Sequence, residues 1–226
     1  MVKARESASG YNSASRAVAA TLGVLTGVGS MEHGLLECLQ GWRPTPGLLI
    51  YALAPGNSWT ALKEGGEGAL TLIPNFLLTG VVAMLLGAAM LVWAVWRIHL
   101  VHGPAGFLLL GVSSLLTGGG VAQVALILLT WGVSTRIGAR LGFWRRVIPR
   151  RVRHMLARLW RGTLTAATVC FLLAVEVAVF GYVPGIKEAT AIQHLCWAFV
   201  GGGLVLYCFS AVAGFAADVE ARVRAE

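Results

Sequence analysis

The sequence predicts an all-α, polytopic transmembrane helical bundle of about five spans, with a short amphipathic helix lying in the cytoplasmic interface. Three observations carry that prediction. First, of 226 residues, 57% are apolar and only 12% charged, and mean hydropathy is +0.74. An average soluble domain is about a quarter charged, so this chain lacks the polar inventory to cover a water-facing surface. Second, the apolar residues fall into long runs that are opened or closed by proline, glycine or charge. Third, nine of the eighteen Lys and Arg lie between Arg136 and Arg161, in a stretch without a single acid. Together these exclude a soluble enzyme, a disordered chain and a nucleic-acid-binding domain.

Residues 1–16 are polar and read as a loose N-terminal tail. The first span covers about 17–40. Gly23 and Gly27 form a GxxxG that permits close helix approach. The apolar run continues into Glu32 and His33 without a small-residue cleavage pattern, so no cleavable leader is expected. Residues 41–68 read as a loop, within which 47–54 is apolar but too short to cross. The second span covers about 69–96, with Pro74 near its start, where the missing N–H costs little.

The third span covers about 104–132. Gly118, Gly119 and Gly120 stand at its centre, which implies either a tight helix crossing or a break. The fourth covers about 163–183 and stops at Pro184-Gly185; the fifth covers about 191–217, before a charged tail at 218–226. Between the third and fourth spans lies the basic segment 133–162. Pro149 can open a helix there. Val152, Met155, Leu156, Leu159 and Trp160 then share one helical face, with arginines on the rest. This predicts a helix lying flat among anionic headgroups, with Arg145, Arg146, Arg150, Arg151, Arg153, Arg158 and Arg161 as the lipid contacts.

Basic residues set orientation. With five spans, Arg43, Lys63, the nine arginines, Arg222 and Arg224 share one side, thirteen in all; Lys3, Arg5, Arg16, Arg97 and Lys187 share the other. The expectation is a multi-pass protein of the cell membrane with its C-terminus cytoplasmic and its N-terminus outside. The short basic N-tail argues against that assignment, because the first helix often dominates.

Ionisable groups inside a bilayer cost several kcal/mol unless paired or neutralised. Glu32, His33, Glu37, Asn75, Gln123 and Glu176 are the polar residues expected to converge in the bundle and relay protons or bind a cation. His33 and Glu37, at i and i+4, share a helix face. Glu176 stands deep in an apolar run and carries the strongest expectation of the six. The bland alternative for 32–40 is the wet end of a helix. Glu32, His33 and Glu37 also offer the nitrogen and oxygen ligands that suit a divalent metal. His99 or His102, with His194, are candidate axial ligands for a b-type haem. Their bland alternative is histidine in wet loops.

The four cysteines are scattered, with no CxxC, and no Walker loop, GxSxG, HExxH or dinucleotide fingerprint occurs. Enzymatic activity is therefore the less favoured expectation.

The stretch Ser30-Met31-Glu32-His33-Gly34-Leu35-Leu36-Glu37-Cys38-Leu39-Gln40-Gly41, with Ile73-Pro74-Asn75-Phe76 and Phe180-Gly181-Tyr182, resembles a group of small bacterial multi-pass membrane proteins that carry an EHGxxExLQG-like pattern and have no assigned activity. The resemblance covers most of the chain. It implies a helical fold in a bacterial inner membrane and assigns no residue a role.

Three functions fit these readings. One is a small carrier or channel moving protons, a cation or a small solute. Another is a structural or haem-binding subunit of a respiratory or photosynthetic complex. The third is a membrane-embedded metalloenzyme acting on lipid. The expected partners are an anionic leaflet and other membrane subunits or a second copy of the chain, not a nucleic acid.

Overall fold

A computed structural model describes residues 12–51 and 68–225. Most of the predicted N-terminal tail, Lys3, Arg5, residues 52–54 of the short apolar run, Lys63, Glu64, Glu67 and Glu226 lie outside them. The chain is mostly helical. In order it forms α1 (Ser13–Cys38), β1 (Leu49–Tyr51), β2 (Gly68–Thr71), α2 (Phe76–Trp96), α3 (Gly103–Leu115), β3 (Thr117–Gly120), α4 (Gln123–Ser134), α5 (Gly142–Val147), α6 (Arg150–Phe180) and α7 (Ala189–Ala225). Three helices, α2, α6 and α7, are long and apolar enough to cross a membrane, and α3 and α4 are apolar but shorter. That composition is compatible with an integral membrane protein.

α1 and α2 pack antiparallel through glycines that bring the backbones together. A Cβ on Gly27 would lie 2.6 Å from the Gly87 carbonyl oxygen, and one on Gly34 would lie 2.6 Å from that of Gly80. The interface extends the predicted Gly23/Gly27 pair along most of both helices. α6 and α7 form a second antiparallel hairpin, with Gly203 set against Cys170. Asn75 starts α2 as an N-cap: its Oδ1 accepts from Leu78 N at 3.2 Å.

The third predicted span is not one helix. Leu115 ends α3, Gly118 takes a φ of +103° that favours glycine, and 117–120 is extended. β3 pairs antiparallel with β2, which pairs antiparallel with β1, giving a three-stranded sheet in the order β1-β2-β3. After the strand the chain turns back. The Gly111 backbone of α3 faces the Ile127 side chain of α4, whereas residues sixteen apart on a straight helix would stand about 24 Å apart. Of the two readings of the glycine triplet, a break is the one observed.

This reversal changes which segments meet. Asn12 Nδ2, at the start of α1, donates to the carbonyls of Arg136 and Ala139 at 3.1 and 3.2 Å. Ala14 N and Ser15 N donate to the Asp218 carboxylate of α7 at 3.0 and 2.9 Å, and the Ser15 hydroxyl bonds it too. The start of α1, the α2–α3 turn, the 135–149 region and the end of α7 therefore share one end of the bundle. The sheet and the α6–α7 turn share the other. Among the described residues, the extra reversal at β3 thus sets the start of α1 and the end of α7 at the same end, where five unbroken spans would set them at opposite ends.

The basic segment is corrected as well. No flat helix separates from the fourth span, because 150–180 is one continuous helix. Pro149 does sit at its N-cap, but Gly162 is the only weak point that follows, and one glycine is not enough to end a helix. Arg153 is not a headgroup contact. It is buried and donates through Nε to Glu220 at 2.6 Å. The other six arginines of that set are exposed, and so are Val152, Met155 and Leu159 of the shared apolar face.

Candidate functional site

A buried polar stripe runs along one face of α1. Thr26, Ser30, His33 and Glu37 recur at spacings of four, three and four residues, so they stack on one side of the helix, and none is more than 2% exposed. The break between α3 and α4 is packed against that face. Ser30 Oγ donates to Gln123 Oε1 at 2.6 Å and lies 2.9 Å from Ser114 Oγ. These contacts join α1, α3 and α4 at the inner ends of the two short helices. Thr130, one turn-pair further along α4, is fully buried, and its hydroxyl has no hydrogen-bond partner among the described residues.

Glu37 stands at the sheet end of the stripe. It is fully buried, and no hydrogen-bond donor among the described residues reaches either carboxylate oxygen. His33 Nδ1 lies 3.6 Å from Oε1, an ion-pair distance but too long for a hydrogen bond. The floor of the site is bare backbone. A Cβ on Gly118 would lie 2.8 Å from Glu37 Oε1 and closer still to Oε2, so only glycine leaves the carboxylate room.

The neighbouring hydroxyls have already committed their protons. Thr79 Oγ1 donates to the Thr117 carbonyl at 2.9 Å, and Thr71 Oγ1 has its own acceptors in Thr79 Oγ1 at 2.6 Å and the Ile73 carbonyl at 3.4 Å. Glu37 is thus a buried acceptor beneath a sheet, in a setting that supplies a histidine and no hydroxyl. A carboxylate in such a place needs its charge compensated, by a proton or by a cation.

The other predicted site residues divide. Gln123 joins the stripe. Glu32 is half-buried on another side of α1, and Asn75 serves as a cap. Glu176 is exposed on the outer face of α6 and does not meet Gln123. The expected convergence of all six therefore does not occur. The apolar run around Glu176 fixes its depth but not its direction, and the helix turns it outward. Among the described residues, no three His, Cys, Asp or Glu side chains come together to hold a metal.

His99 and His102 lie in the α2–α3 turn, at the end of the bundle with the start of α1 and the end of α7, and His194 lies at the sheet end, so neither of the first two stands beside His194. Burial and then the charge of Arg16 hold His99 below the ordinary histidine range. Ser30, Thr79, Ser114 and Gly118 were not anticipated as site residues. Ser30 carried a signal, since it stands one turn before His33 on the same face. Thr79 and Ser114 carried none, because single hydroxyls are common in membrane helices.

No protein-family model, no curated protein and no solved structure matches this chain.

Proposed function

We propose that the chain is a small membrane carrier or channel that moves protons, or a small cation in their place, with Glu37 as the group that takes up and releases the charge. The observation that carries this is the position of Glu37: fully buried, without a hydrogen-bond donor on either oxygen, and seated over the unwound Gly118 backbone between two half-length helices. Irregular backbone at membrane depth is tolerated where it lines a site, and broken helices recur where transporters bind ions. His33 is the partner that shares the charge, and Ser30, Ser114 and Gln123 continue the polar path away from the sheet. The test is proton flux in proteoliposomes containing wild type or Glu37→Gln. Loss of flux in the variant supports the reading; equal flux removes it.

The reversal at β3 also supports an orientation for the chain. Among the described residues, Arg16, Arg97, the nine arginines of 136–161, Arg222 and Arg224 belong to the half of the bundle that holds the start of α1 and the end of α7, and only Arg43 and Lys187 belong to the sheet half. By the positive-inside rule both ends are cytoplasmic and the sheet faces outside. The conflict over the N-tail then disappears. Impermeant thiol labelling of intact cells, with single cysteines placed at Thr45 or Ala225, tests this: Thr45→Cys reacts and Ala225→Cys does not.

A second reading, a subunit docked in a larger membrane assembly, is favoured by Glu176, a carboxylate exposed on an otherwise apolar face. Purification in mild detergent as a monomer without partners removes it.

A further inference from the structure

Around Glu37 the chain gathers oxygen acceptors and the negative ends of two helices. Glu37 stands in the last turn of α1, and α3 ends at Leu115, just before the Gly118 floor of the site. Neither helix has a Lys or Arg in its last turn. Each C-terminal end carries about half a negative charge, so two helix ends and a carboxylate add their potentials in one place.

The oxygens converge as well. The point where a Cβ on Gly118 would stand is 2.8 Å from Glu37 Oε1, closer still to Oε2, and 2.8 Å from Thr79 Oγ1, so carboxylate and hydroxyl flank the same point. Thr79 has given its proton to the Thr117 carbonyl. Toward Glu37 it is therefore a second acceptor, and no hydrogen bond joins the two. The backbone beside them is irregular. Ala69 opposes Gly120 and Thr71 opposes Thr117, so β3 carries one residue more than β2 across this interval. A bulge of this kind leaves one residue outside the ladder, and it falls at Gly118–Gly119, against the carboxylate.

From this arrangement we infer that the site binds a small monovalent cation of the sodium type, held by the Glu37 carboxylate, the Thr79 hydroxyl oxygen and the bulged Gly118–Gly119 backbone. The inference rests on the reading of Glu37 as the charge-carrying group and names what that group holds besides a proton. One carboxylate balances one positive charge, whereas a divalent ion would leave an excess charge buried. Oxygen ligands suit a hard cation. Among the described residues no third His, Cys, Asp or Glu joins His33 and Glu37, so a transition metal lacks its ligand set. A sodium-sized ion also approaches the carboxylate more closely than potassium and gains more Coulomb energy from it. Unwound backbone and the C-terminal ends of half-helices are the elements that hold sodium or protons in carriers built on broken helices.

The experiment uses the full chain in detergent, titrated with radioactive sodium ion against a choline background, with proton flux measured in proteoliposomes in parallel. The variants are Glu37→Gln, Thr79→Val and Thr79→Ser, with Glu176→Gln as a carboxylate outside the site, and thermal unfolding confirms that each is folded. The expected result is saturable binding of one sodium ion per chain, displaced by lithium and only weakly by potassium or calcium. Binding should be lost in Glu37→Gln and fall about tenfold in Thr79→Val, as loss of one contact to a charged group implies. It should hold in Thr79→Ser, which restores the oxygen, and in Glu176→Gln. Absence of saturable sodium binding in the wild type overturns the inference, as does potassium or calcium binding as tightly as sodium, or Thr79→Ser binding no better than Thr79→Val. Proton flux that requires Glu37 without sodium binding overturns this inference and leaves the carrier reading standing. Sodium binding that requires Glu37 without any flux supports the cation site and removes the carrier reading.

Discussion

Replacing Gly118 by alanine tests the geometry of the Glu37 site. The cost has two parts that the structure separates. Gly118 has a φ of +103°, and holding an L-residue in the left-handed region costs about 1–2 kcal/mol. The new methyl would also stand 2.8 Å from Glu37 Oε1 and from Thr79 Oγ1. Relieving that overlap in a packed site costs about 1–3 kcal/mol. Gly118→Ala should therefore destabilise by about 2–5 kcal/mol, the sum of those two ranges. Glu37→Ala removes the carboxylate but leaves the backbone angle, so the steric part shrinks and the dihedral part stays. In a double-mutant cycle the pair should be less destabilised than the sum of the singles, with a coupling of about 1–3 kcal/mol. Reversible unfolding of the four proteins in mixed micelles measures this. A Gly118→Ala cost under about 0.5 kcal/mol, or an identical cost with and without Glu37, would refute the close approach of carboxylate and backbone.

Five further outcomes are expected. Gly27→Ala and Gly87→Ala, each placing a methyl 2.6 Å from the facing carbonyl oxygen, should each cost about 1–3 kcal/mol. Gly162→Ala, which meets nothing, should instead stabilise its helix by up to about 1 kcal/mol, and the same unfolding assay reads both. Arg153→Met, which leaves Glu220 buried without its partner, should cost about 3 kcal/mol, while Arg153→Met with Glu220→Met should recover most of it. The same pair gives a pH dependence. Burial alone would raise the Glu220 carboxyl, but its bond to Arg153 and the charges of Arg153, His154 and Arg150 together hold it below its ordinary 4.5. Its stabilising contribution is therefore complete at neutral pH and lost as the pH falls below 4.5 through the depressed value, and a midpoint that rises over that interval would contradict the pairing. Finally, Glu176→Gln should leave proton flux unchanged, because the side chain faces away from the stripe.

The helical character of the chain and its long apolar helices were legible because they depend on composition and run length, which any apolar helix reports directly. The glycine triplet was legible as a disturbance. Its outcome was not, because pairing of Thr117–Gly120 with Gly68–Thr71 is a contact across some fifty residues that no local pattern encodes. That one unread reversal also decides which helix ends lie together, among them those beside His99, His102 and His194. His33 and Glu37 were readable as a pair from their i, i+4 spacing. Glu176 was misjudged for a physical reason: hydropathy gives how deep a residue sits, and the direction it faces depends on which helices surround it. Arg153 was hidden in the same way, since its partner Glu220 lies on a helix that the arginine pattern cannot see.

The central claim is that Glu37 carries the moving charge. Its most direct measurement is the decay of an imposed pH gradient in proteoliposomes, with wild type, Glu37→Gln and an empty-liposome control compared at matched protein content and confirmed fold. Protein-dependent proton flux in the wild type that falls to the empty-liposome level in Glu37→Gln is the predicted result. A wild type that conducts no faster than empty liposomes, or a Glu37→Gln protein that conducts as fast as wild type, would contradict it.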